Sequence, residues 1–440
     1  MKEKILLVQV AALGYNFFTA KNGAKTFEGL EINPIEGLFP ALTCPVQATM
    51  RTATLPSLHG IIANGFFVKE LSKPFFWEQS SSLIKAERIW KSFRAKGGKV
   101  AEMFIQQSLG QENDIVLSPA PIHKHHGGMI LNCFSKPAEL NKRLKRVLGK
   151  QFPLQSYWGP FAGEASSLWI VDAVKSVMKN EKPDLLYTYI PHLDYDLQRF
   201  GLESKQATEA FKFVKKCLST LLNTAKNENY KVIIFGDYPI TPAKKVIYPN
   251  KMLKAAGLSK TRNVRGMQYS DFFTSMAFAV VDHQIAHVHI FDSKEARRVR
   301  GTFEKTGGIA EIIDGKNGKS GIENERSGDL VLLAEKGSWF DYRWWDKKKE
   351  APEYASHVDI HNKPGYDPCE LFRSLNPFKI GQNPDKVKGT HGRNDKDDPV
   401  FYMSDIALPG KPGSLLDLSK SIQKLLDTDN QDENTPNVCG

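Results

Sequence analysis

The chain has 440 residues, enough for one large domain with insertions or for several smaller ones. Hydrophobic residues make up 41% and charged residues 25%, which excludes a wholly disordered chain, a collagenous repeat and a disulfide miniprotein. Sixty Lys and Arg against 49 Asp and Glu leave a net charge of +11, which suits an anionic partner without separating nucleic acid from a small phosphate ester.

Lys4–Val10 (KILLVQV) is a continuous apolar run of the kind a strand shows when both faces are covered. The apolar start is too short to span a membrane and runs straight into folded-looking sequence, so it reads as a first strand rather than a signal peptide. Residues 80–96 carry Leu83, Ala86, Ile89, Trp90 and Phe93 at helical spacing, closed by Gly97 and Gly98, and predict a helix. Residues 99–105 predict a strand, Glu164–Asn180 a helix and residues 183–190 a strand. A helix over residues 204–227 and a strand over 230–238 follow. Strand and helix alternate, which predicts an α/β fold with a mostly parallel sheet between helices.

After Ile240 the rhythm breaks. Residues 241–385 read as an inserted cap region, with β-like runs such as 277–291 and an aromatic block at 339–345 (WFDYRWW) that lines a pocket or packs. Residues 427–440 (DTDNQDENTPNVCG) predict a disordered tail, leaving 1–426 as one folded domain. The five cysteines (Cys44, Cys133, Cys217, Cys369, Cys439) are scattered and form no CxxC pair, which fits a reducing compartment and a cytoplasmic protein. No stretch reaches membrane-spanning length, and no helix-turn-helix, RNA-recognition or zinc-finger pattern points to a specific nucleic acid.

Ligands of open α/β sheets gather at the carboxyl ends of the strands. Gln9, Asp194, Asp196 and Asp237 fall there, and two carboxylates on neighbouring loops could hold a divalent cation or simply cap loops. Residues 43–64 read TCPVQATMRTATLPSLHGIIAN. This closely resembles the nucleophile segment of the type I phosphodiesterase/nucleotide pyrophosphatase family of the alkaline phosphatase superfamily, through Thr43, Pro45, Thr52, Pro56, His59, Gly60, Ile61 and Asn64 without a gap. The resemblance extends to Asp194, Gln198 and Gly201, to Asp237 and Tyr238, and to Gly389, His391 and Gly392.

The resemblance implies an alkaline-phosphatase-like three-layer α/β/α fold. It implies a hydrolase of phosphoric esters in which Thr43, at the start of a helix, attacks phosphorus to form a covalent phospho-enzyme. A helix N-terminus favours an anion there, and a weak Thr hydroxyl needs an activating metal or base. It implies a divalent metal, zinc by resemblance, held by Asp194, Asp237 and His391, with Gln9 and Gln198 at two further ligand positions. The partner it implies is an anionic phosphorylated small molecule.

The departures are Gln9 for an Asp, Gln198 for a His, Tyr238 for a His, and Val46 for the Asn that contacts phosphate. They imply fewer than two tightly bound ions, and leave a single metal, a harder cation or no metal open. His361, with Asp359, Tyr366 and Asp367 in one donor-rich stretch, is a candidate substitute or substrate-binding group, as Tyr238 is an auxiliary one. Asp282 with His283, His287, and the cluster His123, His125 and His126 have the same two readings, as compensating ligands or as core or surface histidines. Cys44 reads as a small apolar filler. The competing reading is a catalytically weakened relative that binds a phosphorylated ligand or a protein partner.

Overall fold

The computed structural model describes residues 3–125, 128–376 and 379–428. In chain order its main elements are β1 (Lys4–Val10), β2 (Asn33–Ile35), α1 (Thr43–Thr52), β3 (Val100–Met103), β4 (Ile115–Pro119), β5 (Cys133–Lys136), α2 (Glu164–Asn180), β6 (Leu185–Ile190), α3 (Asp194–Phe200), α4 (Lys205–Asn227) and β7 (Tyr230–Gly236). Then come β8 (Ala277–Asp282), β9 (Ile285–Ile290), β10 (Ile309–Asp314), β11 (Leu330–Ala334), β12 (Val400–Ser404) and α5 (Leu415–Thr428).

Among the described residues, eight strands form the central sheet in the order β5-β4-β3-β6-β1-β7-β12-β2. The middle of the sheet, from β4 to β7, is parallel, and β5, β12 and β2 are antiparallel additions at its edges. The apolar run of β1 is explained by its place: it pairs with β6 on one side and β7 on the other, and Ile5 to Val10 are buried. Helices α2 and α4 pack on one another, and α1 packs on α5, so the sheet is the middle of three layers.

The expected helix over residues 80–96 is not there. The segment holds a short 3₁₀ turn at Ser81–Leu83 and a helix confined to Lys91–Ala95. Its main chain is committed elsewhere: the Lys85 amide donates to the His59 carbonyl and the Ile89 amide to the Arg51 carbonyl. The Arg88 guanidinium bonds the Ser81 and Ala86 carbonyls. Ile84, Ile89, Trp90 and Phe93 are buried all the same, so helical spacing of apolar residues came from an irregular strap pinned to the segment after Thr43.

The region 241–385 contains a second, antiparallel sheet, β8-β9-β11-β10, with its own apolar core. The aromatic block packs: Trp339, Phe340, Tyr342, Trp344 and Trp345 are all buried. Asp427 and Thr428, expected in the tail, belong to α5, and the rest of that tail, 429–440, lies outside the described residues. Among the described residues no helix is long and apolar enough to cross a membrane.

Candidate active site

The sheet brings the first two polar groups together by register. Val10 on β1 lies beside Gly236 on β7, so Gln9 and Asp237 emerge at neighbouring strand ends. Gly236 admits no side chain, because a Cβ there would sit 1.9 Å from the Leu13 carbonyl oxygen. Asp237 Oδ1 accepts the amides of Ala12 (3.0 Å) and Tyr238 (2.8 Å), and Oδ2 accepts the Gln9 amide at 3.0 Å. A carboxylate presents acceptors, so the NH₂ end of Gln9 faces it, and Gln9 Oε1 accepts the Tyr187 hydroxyl.

Asp194 opens α3 just past β6, after Leu193, whose φ of +109° is rare for a residue with a side chain. Four residues on, one helical turn, Gln198 donates its amide to Asp194 Oδ2 at 2.7 Å, while its Oε1 accepts the Tyr366 hydroxyl at 3.0 Å. The two glutamines therefore stand alike: each gives its NH₂ to an aspartate and takes a tyrosine hydroxyl on its oxygen.

Thr43 is the first residue of α1 and is 5% exposed. Its hydroxyl is 3.2 Å from the Tyr238 hydroxyl, which is 3.5 Å from Asp194 Oδ1. The Tyr238 ring stacks on His391 with centroids 3.7 Å apart and planes 8° apart. His391 Nδ1 donates to the Ala41 carbonyl at 2.8 Å, leaving Nε2 3.9 Å from Asp194 Oδ1. Thr43, Asp194, Asp237, Tyr238, His391, Gln9 and Gln198 thus form one buried polar cluster.

The P-x-x-H-G-I-x-x-N motif supports the start of α1. Asn64 Oδ1 accepts the Cys44 amide at 3.0 Å, a cap that the helix's own Leu42 does not supply. His59 Nδ1 accepts the Ile61 amide at 3.1 Å, and its Nε2 lies 3.0 Å from the Thr49 hydroxyl. Gly60 between them has φ +77°. At the other end of α1, Arg51 is fully buried and bonds Glu102, Gln106 and Gln107, tying the helix to the end of β3. The Cys44 amide is spent on Asn64 and Pro45 has no N–H, so the first turn offers a phosphate neither of these two donors.

Asp282 and His283 enter the site from the β8–β9 turn, a pair that the sequence leaves with two readings. Asp282 accepts the Asn64 backbone amide (2.8 Å) and side chain (3.2 Å), and lies 2.7 Å from His283 Nδ1. The His283 ring stacks on Tyr366 at 3.6 Å and lies 3.8 Å from the His391 ring. Only the adjacency of Asp and His in sequence hinted at this. His361 turns instead to the Phe76 carbonyl (3.2 Å) and the His123 ring, and the Asp359 carboxylate takes the Asn362 side chain. His287 Nδ1 accepts the Gly328 amide within the second sheet, and His126 lies outside the described residues.

Burial and hydrogen bonds pull the ionisable groups of the cluster in opposite directions. Burial pushes Asp194 up to about 7 and Asp237 well above the usual carboxylate range, against the hydrogen bonds from Gln198 and Gln9. It holds His283 and His391 well below the usual imidazole range, hence neutral. Burial raises the Cys44 thiol to about 12, which fits a filler and not a nucleophile. A narrow cleft of about 10 Å³, lined by Phe76, Trp77, Trp158 and Tyr366, reaches the cluster's outer wall. That is roughly room for one water.

The residues fit a pair of zinc ions poorly. Asp237 spends both oxygens on N–H donors, Asp194 faces an amide NH₂, and the Tyr238 phenol stands between Thr43 and Asp194. Among the described residues no group of three or more His, Cys, Asp or Glu side chains is placed to hold a metal ion. Zinc wants about four charged or soft donors converging on one point.

The type I phosphodiesterase/nucleotide pyrophosphatase family model matches residues 24–367, across Thr43, Asp194 and Asp237. The chain belongs to this family. Among solved structures it is similar to murine ectonucleotide pyrophosphatase/phosphodiesterase 5, with 14% identity, TM-score 0.61, and 97% of this chain and 95% of that one covered. An inactive form of the murine protein in complex with AMP matches equally. Phosphonoacetate hydrolase from Sinorhizobium meliloti 1021, in complex with phosphonoacetate, shows 13% identity, TM-score 0.62, and coverage of 97% and 96%. These likenesses show a shared alkaline-phosphatase-like fold. No curated protein matches the sequence.

Proposed function

We propose that this family member hydrolyses a phosphoester bond of a small anionic molecule, with Thr43 as the attacking group. The observation that carries this reading is the place of Thr43: first residue of a ten-residue helix, on the C-terminal rim of the parallel strands, with its hydroxyl 3.2 Å from the Tyr238 hydroxyl. Membership of a phosphodiesterase/pyrophosphatase family supports the reaction class. AMP and phosphonoacetate in the neighbouring structures support a small phosphorus compound as substrate. The net charge of +11 favours anions at long range.

Thr43 Oγ would form a bond to phosphorus as the bond to the leaving oxygen breaks. The hydroxyl proton would pass to the Tyr238 oxygen as the Tyr238 proton passes to Asp194, and the leaving oxygen would recover a proton from Asp194. Water would then attack phosphorus, its proton following the same path as the Thr43 oxygen is released and reprotonated. The positive end of the α1 dipole would offset charge on the phosphoryl oxygens.

Thr43→Ala tests this. Turnover of a chromogenic phosphodiester, monoester or phosphonate is expected to fall by roughly 10⁴–10⁶-fold, with the melting temperature nearly unchanged. Substantial turnover by a folded Thr43→Ala protein would sink the covalent route. Tight binding of AMP by a wild-type chain that turns over none of the panel would favour the weakened, ligand-binding relative.

A further inference from the structure

Three of the six positions where the family resemblance expects metal ligands hold two amides and a phenol: Gln9, Gln198 and Tyr238. Such changes could leave a loosened metal site, or they could build something else. The hydrogen bonds distinguish these outcomes. A loosened site would leave carboxylate oxygens pointing at shared empty space. Here each aspartate has an oxygen met by an amide that replaced a ligand, Gln9 against Asp237 Oδ2 at 3.0 Å and Gln198 against Asp194 Oδ2 at 2.7 Å, and Asp194 Oδ1 faces the Tyr238 hydroxyl at 3.5 Å.

The amides are also locked the wrong way round for a cation. A glutamine can offer its oxygen to a metal only by turning its NH₂ away. Gln9 Oε1 is pinned by the Tyr187 hydroxyl and Gln198 Oε1 by the Tyr366 hydroxyl. Flipping either one breaks its bond to the aspartate and aims an oxygen at a carboxylate, and the tyrosine could follow only by turning its own O–H away to accept the NH₂. All of these side chains are buried, so water does not make good the loss. The third replacement, Tyr238, is fixed by its stack on His391 and holds the Thr43 hydroxyl.

We infer that this centre takes no divalent cation: hydrogen bonds from Gln9, Gln198 and Tyr238 do the holding, and the Tyr238 phenol is the group that orients the Thr43 hydroxyl. The role of Tyr238 in catalysis rests on the reading of Thr43 as nucleophile. The absence of a cation rests on the donors alone, so the two parts fail separately.

The test uses the full chain, incubated with zinc and, separately, with manganese, then desalted. Elemental analysis is expected to find far less than one ion per chain, and melting temperature is expected to be the same with added zinc, with EDTA and with neither. One or two retained ions per chain with a raised melting temperature overturn the inference. Gln9→Asp, Gln198→His and Tyr238→His made together are expected to retain zinc and to melt higher in its presence. A folded triple variant that ignores zinc would show that these three residues are not what keeps the cation out. Should that variant not fold, the wild-type measurement decides. For the second part, Tyr238→Phe is expected to lower kcat by about 10²-fold or more with KM unchanged, and with turnover insensitive to EDTA before and after. Wild-type kcat in Tyr238→Phe removes Tyr238 from the reaction while leaving the metal result standing.

Discussion

Asn64 Oδ1 accepts the Cys44 amide hydrogen at 3.0 Å, and Asn64 is itself held by Asp282 from the second sheet. The start of α1 is therefore fixed by a side chain 20 residues on and a carboxylate 218 residues beyond that. Asn64→Ala is expected to lose about 1–2 kcal/mol of stability in urea denaturation, from a missing cap and a lost donor to Asp282. A loss within a few tenths of a kcal/mol would mean that water or another group caps α1.

Arg51 and Glu102 form a fully buried ion pair at 3.2 Å that joins α1 to β3. Arg51→Leu leaves Glu102 buried and facing only the Asn113 amide. The expected cost is about 3–5 kcal/mol, and Arg51→Leu with Glu102→Leu is expected to recover much of it. If the double variant is no more stable than the single one, the Arg51 bonds to the Gln106 and Gln107 carbonyls matter more than the charge pair.

His59 makes stability depend on pH. Its Nδ1 accepts the Ile61 amide, so a proton there breaks that bond, and burial holds the ring down to about 3 against 6.5 when free. Between those values the unfolded chain binds a proton that the fold refuses. The contribution of His59 is thus fully present above pH 6.5 and lost as pH falls toward 3. The stability of wild type relative to His59→Gln is expected to shrink below pH 6.5 by up to about 1.4 kcal/mol per pH unit. A difference that stays flat from about pH 7 to 5 would contradict the neutral, bonded ring.

Gly236 stands where β7 passes the Leu13 carbonyl. Gly236→Ala would drive a methyl group into backbone and shift Asp237, the next residue. A loss of about 3 kcal/mol or more is expected, with loss of any hydrolytic activity. Wild-type melting and turnover in the Gly236→Ala chain would show that β7 and the Leu13 carbonyl are further apart.

Much of the site was legible in the order of residues. A buried parallel strand needs an unbroken apolar run, so β1, β6 and β7 announced themselves, and polar residues at their ends pointed to the rim. The spacing of Thr43, His59, Gly60 and Asn64 was legible because each position answers a local need. Thr43 starts a helix, His59 bonds on both sides of its ring, Gly60 makes a left-handed turn, and Asn64 caps. Residues 80–96 misled because apolar periodicity records burial, and burial here came from an irregular strap whose amides bond to residues 51 and 59.

Sequence alone was therefore enough for β1, β3, β6 and β7 of the central sheet, for the segment that starts at Thr43, and for where Gln and Tyr stand in place of the expected residues, while β2, β4, β5 and β12 went unread. It could not say what those changes do. An amide offers a donor at one end and an acceptor at the other, and which end faces a carboxylate depends on the partner at its back. Those partners are Tyr187 for Gln9, 178 residues along the chain, and Tyr366 for Gln198, 168 residues along. Folding brings the tyrosines there, and with them it turns a set of altered ligand positions into a hydrogen-bonded cluster around Thr43.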